Sequence, residues 1–169
     1  MTPHLLIIGY GNPLREDDGV GPRVAETLRN SLSDLHPTVI SVQQLNPELS
    51  EECAQSGLAV FIDAGSQGVP GDTEFRWIDD APERSSALNH FLDARQILSM
   101  AKKCYGHAPV AVLITITGAS FGYSTELSAT LATALPVILK KIEELVRSWT
   151  PTTRQPLPCQ LRLIATALK

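Results

Sequence analysis

Cysteine is scarce in this chain: three residues, Cys53, Cys104 and Cys159. They are odd in number, far apart and without a CxxC pair. That pattern gives no sign of a disulfide framework or a cysteine zinc site and predicts reduced thiols in a cytoplasmic protein. Basic residues are also few, and a net charge of -4 with a pI near 5.5 argues against a nucleic-acid surface, which needs clustered Lys and Arg. No apolar run approaches the length of a membrane span, so no membrane insertion is expected. The N-terminus lacks the basic start and long apolar region of a signal peptide. Internal repeats and low-complexity tracts are missing too. Ser66, Ser120 and Ser124 lie near glycines, but none stands in a GxSxG elbow.

What remains is an ordinary globular balance. The 169 residues are 43% hydrophobic and 19% charged, enough for one domain with a full core and short for two. Apolar runs alternate with helical patterns. "HLLIIG" (4–9), "TVISVQQL" (38–45), "LAVFIDA" (58–64) and "PVAVLITIT" (109–117) read as strands. "TEFRWID" (73–79) alternates polar with apolar, as an antiparallel edge strand does. Helices are predicted from Val20 to Leu32, from near Pro47, from about Phe91 to Lys103, and from Ser128 to Trp149. In the first, Val20, Val24, Leu28 and Leu32 share a face. In the last, Leu131, Leu135, Ile138, Ile142, Leu145 and Val146 do. This order predicts a three-layer α/β/α domain over residues 1–149. Its sheet is open, mostly parallel and twisted, with one antiparallel edge strand. Residues 150–169 read as a Pro-rich C-terminal tail.

The stretch "IIGYGNPLREDDGVG" (7–21) has the opening of a dinucleotide site but not its chemistry. Leu14 stands where a third glycine is needed, the second strand ends without an acid, and Glu16-Asp17-Asp18 would repel a pyrophosphate. Gly9 and Gly11 therefore read as permitting a tight turn or a close backbone approach, with no nucleotide expected. A cation is the better guest. Asp63 at the end of the third strand and His90 before the following helix fall on the same rim of the sheet as this loop. Two aspartates and a histidine suit a first-row transition metal better than magnesium. Each residue has a plainer role as well: Asp17 or Asp18 would serve to cap the helix after Gly19, Asp63 to cap a turn with Gly65, and His90 as a structural residue at a helix start. His4, His36 and His107 have no ligand spacing. Cys53 and Cys104 read as small core residues.

With these residues in place, "GYGNPLREDDGVG" (9–21) resembles the N-terminal signature of the [NiFe]-hydrogenase maturation proteases, roughly GxGNxLxxDDGxG. "FIDA" (61–64) is similar to their strand-end aspartate. "QQLNPELSE" (43–51) and "HFLDARQILSMAKKCYGHAPVAVLITITGASF" (90–121) resemble the subgroup serving cytoplasmic bidirectional hydrogenases. "ELSATLATALP" (126–136) is similar to the start of the closing helix. The likeness spans about residues 5–147 and departs at Asp93-Ala94 and Thr125-Glu126.

The resemblance implies an aspartic-type endopeptidase that removes the C-terminal extension of a nickel-loaded [NiFe]-hydrogenase large-subunit precursor. Asp18, Asp63 and His90 would be the metal positions, Asp18 and Asp63 the catalytic candidates, and Gly9, Gly11, Asn12 and Asp17 the supporting loop. The nickel would come with the substrate. Two other readings of the same residues are a non-catalytic nickel-checking chaperone and a Rossmann-type nucleotide-binding regulatory domain.

Overall fold

The computed structural model of the chain describes residues 4–80 and 92–150. His90, Phe91 and all but the first residue of the 150–169 tail lie outside the described residues.

The strands are β1 (Leu5–Tyr10), β2 (Thr38–Val42), β3 (Leu58–Gly65), β4 (Thr73–Ile78) and β5 (Val110–Thr117). They form one sheet in the order β2-β1-β3-β5-β4. All pairs are parallel except β4 with β5, so the alternating segment does lie antiparallel at an edge. The continuously apolar β3 is central, where both its faces are covered.

Helices α1 (Val20–Ser31) and α4 (Ala129–Ser148) pack on one face, and α2 (Leu49–Gln55) and α3 (Ala94–Tyr105) on the other. Strand alternation assigns Ile7, Val60, Ile62 and Ile114 to the α1/α4 core, and Leu6, Ile8, Ala59 and Phe61 to the α2/α3 core. Val20, Val24, Leu28 and Leu32 are all fully buried, as their helical spacing requires. Burial of each such side chain contributes roughly 1.5–3 kcal/mol before chain entropy is counted. α1 comes close to β1 because neither contact residue has a side chain. A Cβ on Gly9 would overlap the carbonyl oxygen of Gly21.

Three boundaries differ from expectation. β2 ends at Val42 because that residue pairs with Tyr10, the last residue of β1, and beyond it the strand has no neighbour. α3 starts at Ala94, where Asp93 and Gln96 form a reciprocal capping box with both bonds at 2.8 Å. It runs on to Tyr105, with Gly106 left-handed beyond it. Cys104, read above as a core residue, is exposed because it lies on the solvent side of the last turn of α3, whereas Cys53 is buried.

Candidate active site

The loop between β1 and α1 begins at Gly11, whose φ of 135° few other residues adopt and whose Cβ would overlap the Asp18 carbonyl oxygen. The chain then turns tightly, Arg15 N donating to Asn12 O at 3.0 Å and Asp18 N to Arg15 O at 3.1 Å. Asp18 closes the turn by accepting from the Asn12 amide through Oδ2 at 2.8 Å. Gly11, Asn12 and Asp18 are thus parts of one tight turn beyond the end of β1, whereas Gly9 lies within the strand.

The two adjacent aspartates do different things, and neither caps α1, whose N-cap Gly19 receives no side-chain bond. Asp17 is fully buried. It accepts from the amides of Ala119 (2.7 Å), Ser120 (3.0 Å) and Ser128 (2.8 Å), and from the Ser128 hydroxyl (2.7 Å). Burial alone would push its carboxyl up. The bonds from Ser128, Ala119 and Ser120 outweigh that and hold it below the ordinary value. Asp17 therefore fastens the acidic loop to the β5–α4 connection, its carboxylate taken up by four hydrogen bonds from that connection. Glu16 strengthens the fastening: its amide donates to Ser124 O at 2.9 Å, and its carboxylate accepts from Gly122 N at 3.1 Å.

Asp63 projects from the end of β3 on the α2/α3 side of the sheet, the side to which Tyr10 points at the end of β1. Its Oδ1 accepts from the Ala64 amide at 2.8 Å, and the Tyr10 hydroxyl donates to the same carboxylate. Burial pushes the Asp63 carboxyl up to about 6. The Ala64 and Tyr10 bonds act the other way, and the charge of Asp18 adds to the rise. Burial likewise pushes the Tyr10 phenol far up, helped by Asp63 and Asp93 and opposed by Arg76.

Asp18 and Asp63 thus come within electrostatic reach of each other at the carboxyl ends of β1 and β3, near the N-terminus of α3. His90 precedes α3 but lies outside the described residues. Among the described residues, no three His, Cys, Asp or Glu side chains stand together as a ready metal site. Burial and the Asp18 charge together disfavour an ionised Asp63, a penalty that a bound proton or a neighbouring cation would relieve. A cleft of about 810 Å³ runs along the outside of α1 from Pro13 and Glu16 to Ser31, and neither Asp18 nor Asp63 lines it.

Sequence reasoning passed over Tyr10 and Ser128. The Gly9–Ile62 pairing places Tyr10 beside Asp63, and parity alone would have put both side chains on one face once β1 and β3 were paired. Nothing local marks Ser128 as the partner of Asp17.

Solved structures of hydrogenase maturation proteases share this α/β fold. The maturation protease HycI from Thermococcus kodakarensis KOD1 is 26% identical, with a TM-score of 0.68 over 86% of this chain and 94% of that one. The endopeptidase HybD from E. coli is 21% identical, with a TM-score of 0.61 over 85% and 92%. A hydrogenase 2 maturation peptidase from Thaumarchaeota archaeon SCGC_AB-539-E09 is 22% identical, with a TM-score of 0.60 over 85% and 97%. The sequence matches no protein-family model and no curated protein. These three neighbours are named as maturation peptidases, and the likeness to HycI along most of both chains places this one with enzymes of that class.

Proposed function

We propose that this chain is an endopeptidase that cuts the C-terminal extension from the nickel-loaded precursor of a [NiFe]-hydrogenase large subunit. The observation that carries the reading is the meeting of Asp18 and Asp63 on one rim, with the Asp63 carboxyl pushed up to about 6 by burial and by its acidic neighbour. Oxygens placed in this way suit a cation that arrives from outside, here the nickel already held by the substrate. Asp18, Asp63 and His90 would take hold of that nickel and so place the scissile bond. Either that metal would polarise the scissile carbonyl, or one of the two aspartates would activate the attacking water. The chain's own part is to orient the two carboxylates, Asp18 through the Asn12 amide and Asp63 through Ala64 and Tyr10.

The segments 43–51 and 90–121 favour a bidirectional hydrogenase of the cytoplasm as the source of the substrate, and hence a cytoplasmic location for the enzyme. No described helix is long and apolar enough to cross a membrane. The catalytic unit in this reading is residues 1–149, with 150–169 as an appended tail.

The test mixes the purified protein with nickel-loaded and with nickel-free precursor and follows size on a gel. Cleavage of the loaded form alone is expected. Binding of the loaded form with no change in size would instead mark a nickel-checking chaperone. A thermal shift with NAD would favour a nucleotide-binding domain, against the repulsion that Glu16, Asp17 and Asp18 present to a pyrophosphate.

A further inference from the structure

Two large apolar side chains stand exposed on the acidic loop and on the segment that fastens it. Leu14 is 58% exposed and Tyr123 is 92% exposed. The Ser124 amide donates to the Leu14 carbonyl at 3.2 Å, which brings the two segments together. Arg15 lies with its guanidinium carbon 5.9 Å from the centre of the Tyr123 ring and donates to the Phe121 carbonyl at 3.0 Å. The Tyr123 segment is also held by the bonds to Glu16 and Asp17 described above.

An aromatic ring left in water on a well-anchored loop fits the profile of an interface anchor. Its backbone is already ordered, so little entropy is lost when a partner covers it, and Tyr with a neighbouring Arg is the composition that dominates binding hot spots. We infer that the Leu14–Tyr123 knob is the docking surface for the folded body of the nickel-carrying precursor; the inference rests on the function proposed above.

Position identifies the occupant. The Leu14 amide donates to Asn12 Oδ1 at 3.0 Å, and the Asn12 amide donates to Asp18 Oδ2 at 2.8 Å, so two hydrogen bonds separate the knob from a metal-seeking carboxylate. A protein that presents its metal to Asp18 comes close to Leu14. A second copy of this chain seated there would instead obstruct the approach to Asp18. The knob, with Arg15 and Glu16 at its edge, matches a partner whose surface beside the metal centre is apolar at the middle and polar around it.

The test is steady-state cleavage of purified nickel-loaded precursor by the full chain and by Leu14→Ser, Tyr123→Ser and the double variant. Loss of two anchors should raise KM roughly tenfold or more. At the same time kcat should stay within about twofold, because the loss is of binding shared by ground state and transition state. Tyr123→Phe should keep the wild-type KM, and divalent-metal capture by the free variants should be unchanged. If the double variant does not fold, the single variants with wild-type melting temperatures give the same comparison. An unchanged KM overturns the docking surface while leaving the proposed function standing. Failure of the wild-type chain to cleave any loaded precursor overturns both. A double variant that turns from dimer to monomer with unchanged KM would show that the knob serves self-association and overturn the inference.

Discussion

Ser128 donates to Asp17 twice across 111 residues of sequence, its amide to Oδ1 at 2.8 Å and its hydroxyl to Oδ2 at 2.7 Å. The same hydroxyl accepts from the Leu131 amide at 3.2 Å and so caps α4. One side chain thus joins the first turn of the closing helix to the acidic loop.

Replacing Asp17 by Ala should leave three part-buried amides without their acceptor and cost about 3 kcal/mol of stability, whereas Ser128→Ala should cost about 1–2 kcal/mol. Urea unfolding checks both. The carboxyl of Asp17 is held below its ordinary value of 3.8, so its contribution is fully present above that pH. It should be lost as pH falls through the lowered value. Wild type should therefore lose more stability than Asp17→Asn between pH 4 and strongly acid solution.

The opposite sign applies to Asp63, raised from 3.8 to about 6. The folded state holds the extra proton between those values, so the native state loses stability as pH rises from 3.8 towards 6 and stays penalised above. Asp63→Asn should raise stability at neutral pH by on the order of 1–2 kcal/mol, a figure discounted for the group's partial exposure. The gain should vanish near pH 4, and processing should be lost at every pH. Unfolding curves from pH 4 to 8 would expose an error in the sign.

Tyr10→Phe removes a hydrogen bond that favours ionised Asp63. The Asp63 carboxyl should then titrate above its wild-type value of about 6, as read from its carboxyl carbon by NMR. A downward move would mean that the phenol acts through burial rather than through its donated proton.

Gly9→Ala places a methyl group against the Gly21 carbonyl, a backbone atom that cannot rotate aside. α1 would have to lift from β1, at a cost of about 3 kcal/mol or more. Thermal unfolding, or a collapse of soluble yield, would register it.

The thiols should be dispensable. Burial, with Glu52 adding, pushes the Cys53 thiol up to about 12, so no useful thiolate forms at neutral pH. Cys53→Ala with Cys104→Ser should leave processing near the wild-type rate and cost about 1 kcal/mol in lost packing. An inactive but folded double variant would point to a cysteine nucleophile.

The strands and helices were legible in the sequence because burial imposes a period. β3 is apolar throughout and central, β4 alternates and lies at the edge, and Val20, Val24, Leu28 and Leu32 form one buried stripe. Asp63 stood out because an acid ends an otherwise apolar run. Local pattern failed where the decisive partner is distant. Asp17 looked suited to capping the helix two residues on, yet its bonds run to Ala119, Ser120 and Ser128. The role of Tyr10 needed strand pairing, which no local pattern encodes. Cys104 was misread because helical periodicity near a last turn does not say which side meets solvent.

The ties of Asp17 also bear on how the molecule comes into being. Ala119, Ser120 and Ser128 emerge from the ribosome long after Asp18 and Asp63, and the loop's contacts form only when those residues have arrived and the intervening chain has closed. A half-made polypeptide would carry Asp17 in a loop not yet fastened to the β5–α4 connection. The acidic loop is therefore fastened only once Ser128, at the start of the closing helix, has been made.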